Sequence, residues 1–182
     1  MILCLTGLPG SGKSTAAAIF EQFGFEVFEG STAIKEEMKK HGVEITPSNI
    51  ESFTNKMKTE RGKAFFAAIT GERVKEAGQD HDILVIGFRS VAEFEELERV
   101  LGSKIPLIVL TTPEGLRFER LSERKIMAIK SKDEFITRDR SNIGQGILKL
   151  IEKADYLISN TGSKDELEES ILELLEKIGD NE

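Results

Sequence analysis

The chain has 182 residues and a formal net charge of −7, with 39 % hydrophobic and 31 % charged residues. That length suits one domain with a real core, and the acidic balance argues against non-specific nucleic-acid binding. No run of about 18 apolar residues is present, so no membrane-spanning helix is expected.

Ile2–Thr6 is a short apolar run that predicts a buried strand. Because it leads straight into a glycine turn, it is not read as a signal peptide. Cys4 lies within it and reads as a packed core thiol in a reducing cytoplasm. Next comes Gly7-Leu8-Pro9-Gly10-Ser11-Gly12-Lys13-Ser14, followed by Thr15. It fits the phosphate-loop pattern G-x-x-x-x-G-K-[ST] without a mismatch. The glycines allow positive φ, so that backbone N–H groups approach phosphate oxygens at a helix N-terminus. Lys13 is expected on the β- and γ-phosphates, and the Ser14 hydroxyl on Mg²⁺. Thr15–Gln22 predicts the helix this mechanism needs.

Phe25–Phe28 alternates as a second strand. Residues 30 to 81 then show no strand pattern. Ser31 or Thr32 is a candidate cap for a helix carrying Ile34 and Met38. Thr46-Pro47 is a helix start, with Ile50, Phe53 and Met57 at helical spacing. Phe65, Phe66 and Ile69 belong to a third helix ending near Gly78. About fifty helical residues are more than a strand crossover requires. They predict a helical insertion at about 30–81 with a ligand role. His41 and His81 read as surface residues.

Asp82–Ile86 predicts the third strand, apolar as if covered on both faces. Gly87-Phe88-Arg89-Ser90 follows, then a helix burying Val91, Phe94, Leu97 and Leu101 and stopping at Gly102. Ile105–Leu110 is the fourth strand. Thr112-Pro113 opens a helix with Phe118 and Leu121 inward and Arg117, Arg120 and Arg124 on the opposite face. Ser131-x-x-Glu134 is a capping box before a helix with Arg138 and Arg140. Tyr156–Ile158 is the fifth strand, ending in Asn160-Thr161-Gly162, and Ser163-x-x-Glu166 caps the last helix. The pattern predicts an α/β fold, a five-stranded parallel sheet with helices on both faces. Gly7, Glu29, Gly87, Thr111 and Asn160 should rim one crevice at the strands' carboxyl ends. Arg89 stands on that rim, placed to hold an anion bidentately. The arginines of the two successive helices look like a hinged phosphate clamp.

GLPGSGKS, the helical insertion, GFRS, the Arg120-x-x-x-Arg124 helix, TRDR and ADYLISN together cover nearly the whole chain. On these the chain resembles the adenylate-kinase group of P-loop kinases, and more closely the adenylate-kinase-related proteins known mainly from archaea. The resemblance implies a nucleotide-kinase-like fold over residues 1–182, with a helical acceptor-binding insertion and a short lid at about 120–140. It implies that Gly7 to Thr15 hold the phosphates of ATP, the co-substrate, and that Arg89 holds an acceptor phosphate. Ser31, Lys35 and Phe88 become further acceptor contacts. Arg120 and Arg124 would meet the donor nucleotide, Arg138 and Arg140 the transferring phosphoryl, and Asn160 to Gly162 the donor base. The expected protein is a cytoplasmic Mg²⁺-ATP kinase with a small phosphorylated acceptor.

Three departures from that family stand out. Its Asp-Gly pair after the third strand is here Ile86-Gly87. Asp82 cannot replace the acid, being four residues back, roughly 13 Å at strand rise. The acceptor stretch reads Gly30–Lys35, without the family's Asp and Arg, and the lid tip reads Lys125–Lys130, without its acids. The missing acid supports a second reading, a nucleotide-binding sensor or partner module with little or no transfer. A GTPase is disfavoured, because Asn55-Lys56-Met57-Lys58 lacks the Asp that reads guanine and lies in the insertion.

Overall fold

A computed structural model describes residues 1–78, 80–124 and 128–180. The chain runs β1 (Ile2–Thr6), α1 (Lys13–Gln22), β2 (Glu26–Glu29), α2 (Gly30–Lys40), α3 (Pro47–Arg61), α4 (Phe65–Ala77), β3 (Ile83–Ile86), α5 (Val91–Leu101) and β4 (Leu107–Thr111). It continues with α6 (Glu114–Ser122), α7 (Lys132–Gly144), α8 (Ile147–Ile151), β5 (Tyr156–Ser159) and α9 (Lys164–Gly179). The sheet order is β2-β3-β1-β4-β5, and every pairing is parallel. The five carboxyl ends therefore share one edge, and α/β sheets bind ligands outside that edge.

Alternate strand residues face opposite sides, so the apolar strands feed two cores. Leu3, Leu5, Leu84, Ile86, Ile108 and Leu110 pack against Ile19 and Phe20 of α1 and Leu167 and Ile171 of α9. Cys4, Ile83, Val85 and Leu107 pack on the other side against Val74 of α4, Phe94 and Leu97 of α5 and Leu150 of α8. Burial at Cys4 also pushes its thiol pKa up, so it stays a neutral core group. Phe20 is wholly buried, worth about 1.5–3 kcal/mol, and meets Phe25 edge-on at 5.1 Å. Between β2 and β3, helices α2, α3 and α4 make a core of their own from Ala33, Met38, Phe53, Met57 and Phe66. No helix among the described residues is long and apolar enough to cross a membrane.

Local signals set several helix ends. Thr46 accepts the Asn49 N–H at 3.2 Å, with Pro47 in the first turn. Ser163 and Glu166 form a reciprocal capping box. At Ser131 the box is only half made: Ser131 accepts the Glu134 N–H, while Glu134 reaches past it to the Lys130 N–H at 2.8 Å.

Elsewhere the chain differs from expectation. Neither Ser31 nor Thr32 caps α2, which begins at Gly30 directly off β2. Gly30 sits against the Phe88 ring, where a Cβ would come within 3.3 Å, and Ser31 donates to Glu29 instead. Strand β2 starts at Glu26 because the Phe25 N–H is taken by Phe20 O in the turn after α1. Asp82 precedes β3 and takes the Met1 ammonium. Helix α8 is a separate element after a break at Gly146, whose φ is +101°. Of the expected lid tip at Lys125–Lys130, Lys125, Ile126 and Met127 lie outside the described residues, while Ile129 is buried against Leu121 and Phe135.

Candidate functional site

The turn after β1 is held in shape from three sides. Gly10 has φ +84° and backs onto the first turns of α6, where a Cβ would meet Arg117 O at 2.7 Å. No other residue type fits there without moving α6. Asn160, at the end of β5, donates its side-chain amide to Ser11 O at 2.8 Å. Thr112 donates to Ser11 O and Asn160 O at 3.2 and 3.1 Å. The Ser11 hydroxyl is buried with no protein partner. Ser14 and Thr15 are exposed on the first turn of α1, whose N-terminal N–H groups favour an anion.

Lys13 folds back over this loop, donating to Gly7 O at 2.7 Å and Leu8 O at 3.0 Å. Its pKa is lowered from 10.5 to about 7, first by burial, then by Arg89, Arg124, Arg117 and Arg138. Arg138 also depresses Arg124 and Arg89, behind the effect of burial on each. Lys13, Arg89, Arg124 and Arg138 thus share one field of positive charge. They come from α1, the β3–α5 turn, the end of α6 and α7. Such a gathering of cations is a ready anion site.

Arg89 keeps part of its surface in solvent while its guanidinium is desolvated by the protein around it, and its backbone is fixed. Its N–H donates to Glu93 at 2.8 Å, and the other Glu93 oxygen accepts Lys58 of α3 at 2.7 Å. Ser90 caps α5 by accepting the Glu93 N–H. Thr6, ending β1, donates to Phe88 O at 2.8 Å and so ties this turn to the base of the loop.

Several sequence expectations need correction. Arg117 does not lie on a solvent face with Arg120 and Arg124. It is 4 % exposed, four residues before the buried Leu121 and therefore on the inward face. Arg120 donates to Asn160 O at 3.1 Å, while Arg124 lies beyond the end of α6. Phe88 is a core side chain, 3 % exposed, so its ring packs in the core and only its backbone could serve as an acceptor contact. Asn160 is buried with its amide spent on the loop, and Thr161 and Gly162 are exposed beyond it. Arg140 is exposed and two residues from Arg138, about 200° around α7, so the two do not converge. Ser31 and Lys35 are exposed on α2. Ile86 faces the α1 side of the sheet among Leu3 and Leu5.

Two supporting residues escaped the sequence reading. Glu93 had a signal, because Ser90-x-x-Glu93 is itself a capping-box pattern. Asp139, which pairs with Arg117, had none, since the pair spans 22 residues and exists only once α6 and α7 pack. A separate open cavity of about 500 Å³ between α2 and α4, lined by Phe65, Ile69 and Arg73, contains no loop residue.

A phosphate-binding loop between β1 and α1, on a parallel sheet of order 2-3-1-4-5 with cations over its carboxyl edge, defines a P-loop protein of kinase-like fold. A profile described as an AAA domain matches residues 3–141. The chain is 33 % identical over 181 residues to the UPF0200 protein of Pyrococcus abyssi, covering 98 % of this chain and 97 % of that one. It is 38 % identical over 169 residues to the UPF0200 protein of Aeropyrum pernix, covering 92 % and 88 %. The UPF0200/UPF0201 protein of Archaeoglobus fulgidus is 31 % identical over 99 % of this chain, which spans only 56 % of that longer relative. The chain belongs to the UPF0200 family of P-loop proteins. In fold it is similar to a gluconokinase from Sinorhizobium meliloti, with TM-score 0.64, 17 % identity and coverage of 99 % and 93 %. A shikimate kinase from Acinetobacter baumannii gives TM-score 0.63, 19 % identity and coverage of 97 % and 93 %.

Proposed function

We propose that this protein is a cytoplasmic ATP-dependent phosphotransferase that moves the γ-phosphoryl group to a nucleotide or similar small phosphate-bearing acceptor. One observation carries the reading. Lys13, Arg89, Arg124 and Arg138 gather beside a glycine loop at a helix N-terminus, where burial first and these cations second hold Lys13 near pKa 7. Polyphosphate would relieve that repulsion, because catalysis of phosphoryl transfer is mostly positioning and charge neutralisation.

In this reading the Gly7–Thr15 loop holds the ATP phosphates. Lys13 exchanges its own loop carbonyls for phosphate oxygens, and Arg138 and Arg124 close over the transferring group. Arg89, steadied by Glu93, takes the acceptor phosphate, and the α2–α4 helices form the acceptor side with Ser31 and Lys35 exposed on it. Arg120 and Asn160 to Gly162 border the donor nucleoside. The exposed Ser14 hydroxyl suits Mg²⁺ carried in by the nucleotide, whose other ligands are phosphate and water. Among the described residues no group of three His, Cys, Asp or Glu could form an all-protein cation cage. The test is incubation with Mg²⁺-ATP and a panel of nucleotides and phosphorylated metabolites. ADP together with a phosphorylated product supports transfer.

Ile86 favours a second reading, a nucleotide-binding module with little or no transfer. An apolar side chain stands where an acid would organise Mg²⁺. ATP binding without product from any acceptor would select it.

A further inference from the structure

Arg117 is 4 % exposed, and arginine is seldom buried this far unless paired. Its partner is Asp139 of α7. Nη1 donates to Oδ1 at 2.8 Å and Nη2 to Oδ2 at 2.6 Å, a bidentate fork. The same Nη1 donates to Pro9 O at 3.0 Å, at the apex of the phosphate loop. Below the guanidinium lies the Phe135 ring of α7, 5.0 Å from Cζ to centroid. Nε is buried without a partner, so this geometry serves Asp139 and Pro9 rather than saturating the donors. Phe135, four residues before Asp139, also packs edge-on with Phe118 at 5.7 Å and joins Leu121 and Ile129 in a small core. On the adjacent position of α7 stands Arg138, the arginine that acts on Lys13, Arg89 and Arg124.

A buried ion pair adds little net stability over apolar residues of the same volume. What this one supplies is geometry. We infer that Arg117 and Asp139 are positioning residues that lock the α7 segment carrying Arg138 to the Pro9–Gly10 apex of the phosphate loop, so that loop and arginine meet a phosphate as one unit. The inference rests on the nucleotide reading of the loop, and its test separates the two. An isolated structural pair would stabilise the fold without making Arg138 depend on it.

The experiment compares the full-length wild type, Arg138→Ala, the apolar replacement Arg117→Met/Asp139→Leu, and the combined triple variant. Hydrogen exchange of the loop amides is read without nucleotide, and ATP affinity by calorimetry. The apolar replacement is expected to melt near wild type while loop amides exchange about tenfold faster, the loss of one charged hydrogen bond. Arg138→Ala should weaken ATP about tenfold in the wild type but less than about twofold in the replaced background, because coupled sites are not additive. Unchanged loop exchange, or an equal loss in both backgrounds, overturns the inference. If the wild type binds no ATP, the nucleotide reading falls and loop exchange alone decides the latch. Should the replacement not fold, Asp139→Asn, which keeps shape and one acceptor oxygen, is put through the same measurements.

Discussion

Gly12 lies directly beneath Asn160: a Cβ on Gly12, whose φ is +97°, would come 2.1 Å from the Asn160 Nδ2. The end of β5 is therefore seated on the loop that follows β1, across β4. Asn160→Ala should cost about 0.5–1.5 kcal/mol, since Ser11 O loses the shorter of its two donors and keeps only Thr112. ATP affinity should fall with it, because the loop is held open by that contact. Gly12→Ala should be worse, combining a strained φ with a collision. Thermal melts and calorimetry on both variants check this. A Gly12→Ala protein with wild-type stability and affinity would mean the loop is not held in this shape.

Lys13→Ala should weaken ATP binding severely while leaving the fold intact. Wild-type affinity in the variant would refute the phosphate role of the loop. The pKa of Lys13 adds a sharper test. The fold lowers it from 10.5 to about 7, so between those values the unfolded chain binds the extra proton and stability rises with pH. Removing the amine should thus leave the melting temperature unchanged or raised at pH 6. Bound phosphate restores the charged form, so ATP binding at pH 8 should take up close to one proton. Calorimetry in buffers of different ionisation enthalpy measures it. No uptake would mean that Lys13 does not meet the ligand.

If Arg124 and Arg138 close over bound nucleotide, backbone amides of α6 and α7 should exchange more slowly when ATP is saturating. Opening on that timescale is what hydrogen exchange reports. Protection expected in α7 should extend to Arg120 and its tie to Asn160. Unchanged exchange across both helices would reduce these arginines to surface charges.

Much of the architecture was legible because local chemistry wrote it. The glycine loop, the Thr46-Pro47 start, the Ser163 box and the apolar strands each carry their signal within a few residues. The site was legible only in part. Lys13 stood out by its motif, Arg89 by its strand-end position, and Arg124 and Arg138 as arginines of two successive helices; in the fold Arg89, Arg124 and Arg138 all act on the charge of Lys13. Arg117 was misplaced because a charge on a helix reads as outward, and only a partner 22 residues away allows it inward. The burial of the Phe88 ring was not legible locally, because its neighbours, Gly30 and the loop behind Thr6, are brought to it by the sheet. Asp139 carries no local mark of its role at all.

The last expectation concerns Ile86. In register it lies between Leu5 of β1 and Glu29 of β2, on the α1 side of the sheet and 6 % exposed. An acid there would stand beside the start of α1 and hold the water shell of Mg²⁺, which favours carboxylate partners. Isoleucine offers no such contact. Nucleotide binding should therefore depend less on Mg²⁺ than in a P-loop kinase with that acid, and transfer should be slow. Ile86→Asp tests this in one substitution. It should lower the melting temperature, because a carboxylate entering the edge of the core is desolvated. At the same time it should strengthen Mg²⁺-dependent ATP binding and raise the rate of any transfer. Glu29 is the competing source of an acid. It is exposed and already accepts from Ser31, and two strand spacings, about 10 Å, separate it from β1. If the wild type shows ordinary Mg²⁺-dependent turnover that Ile86→Asp slows, Glu29→Gln should abolish that dependence, and the acid is then supplied from β2.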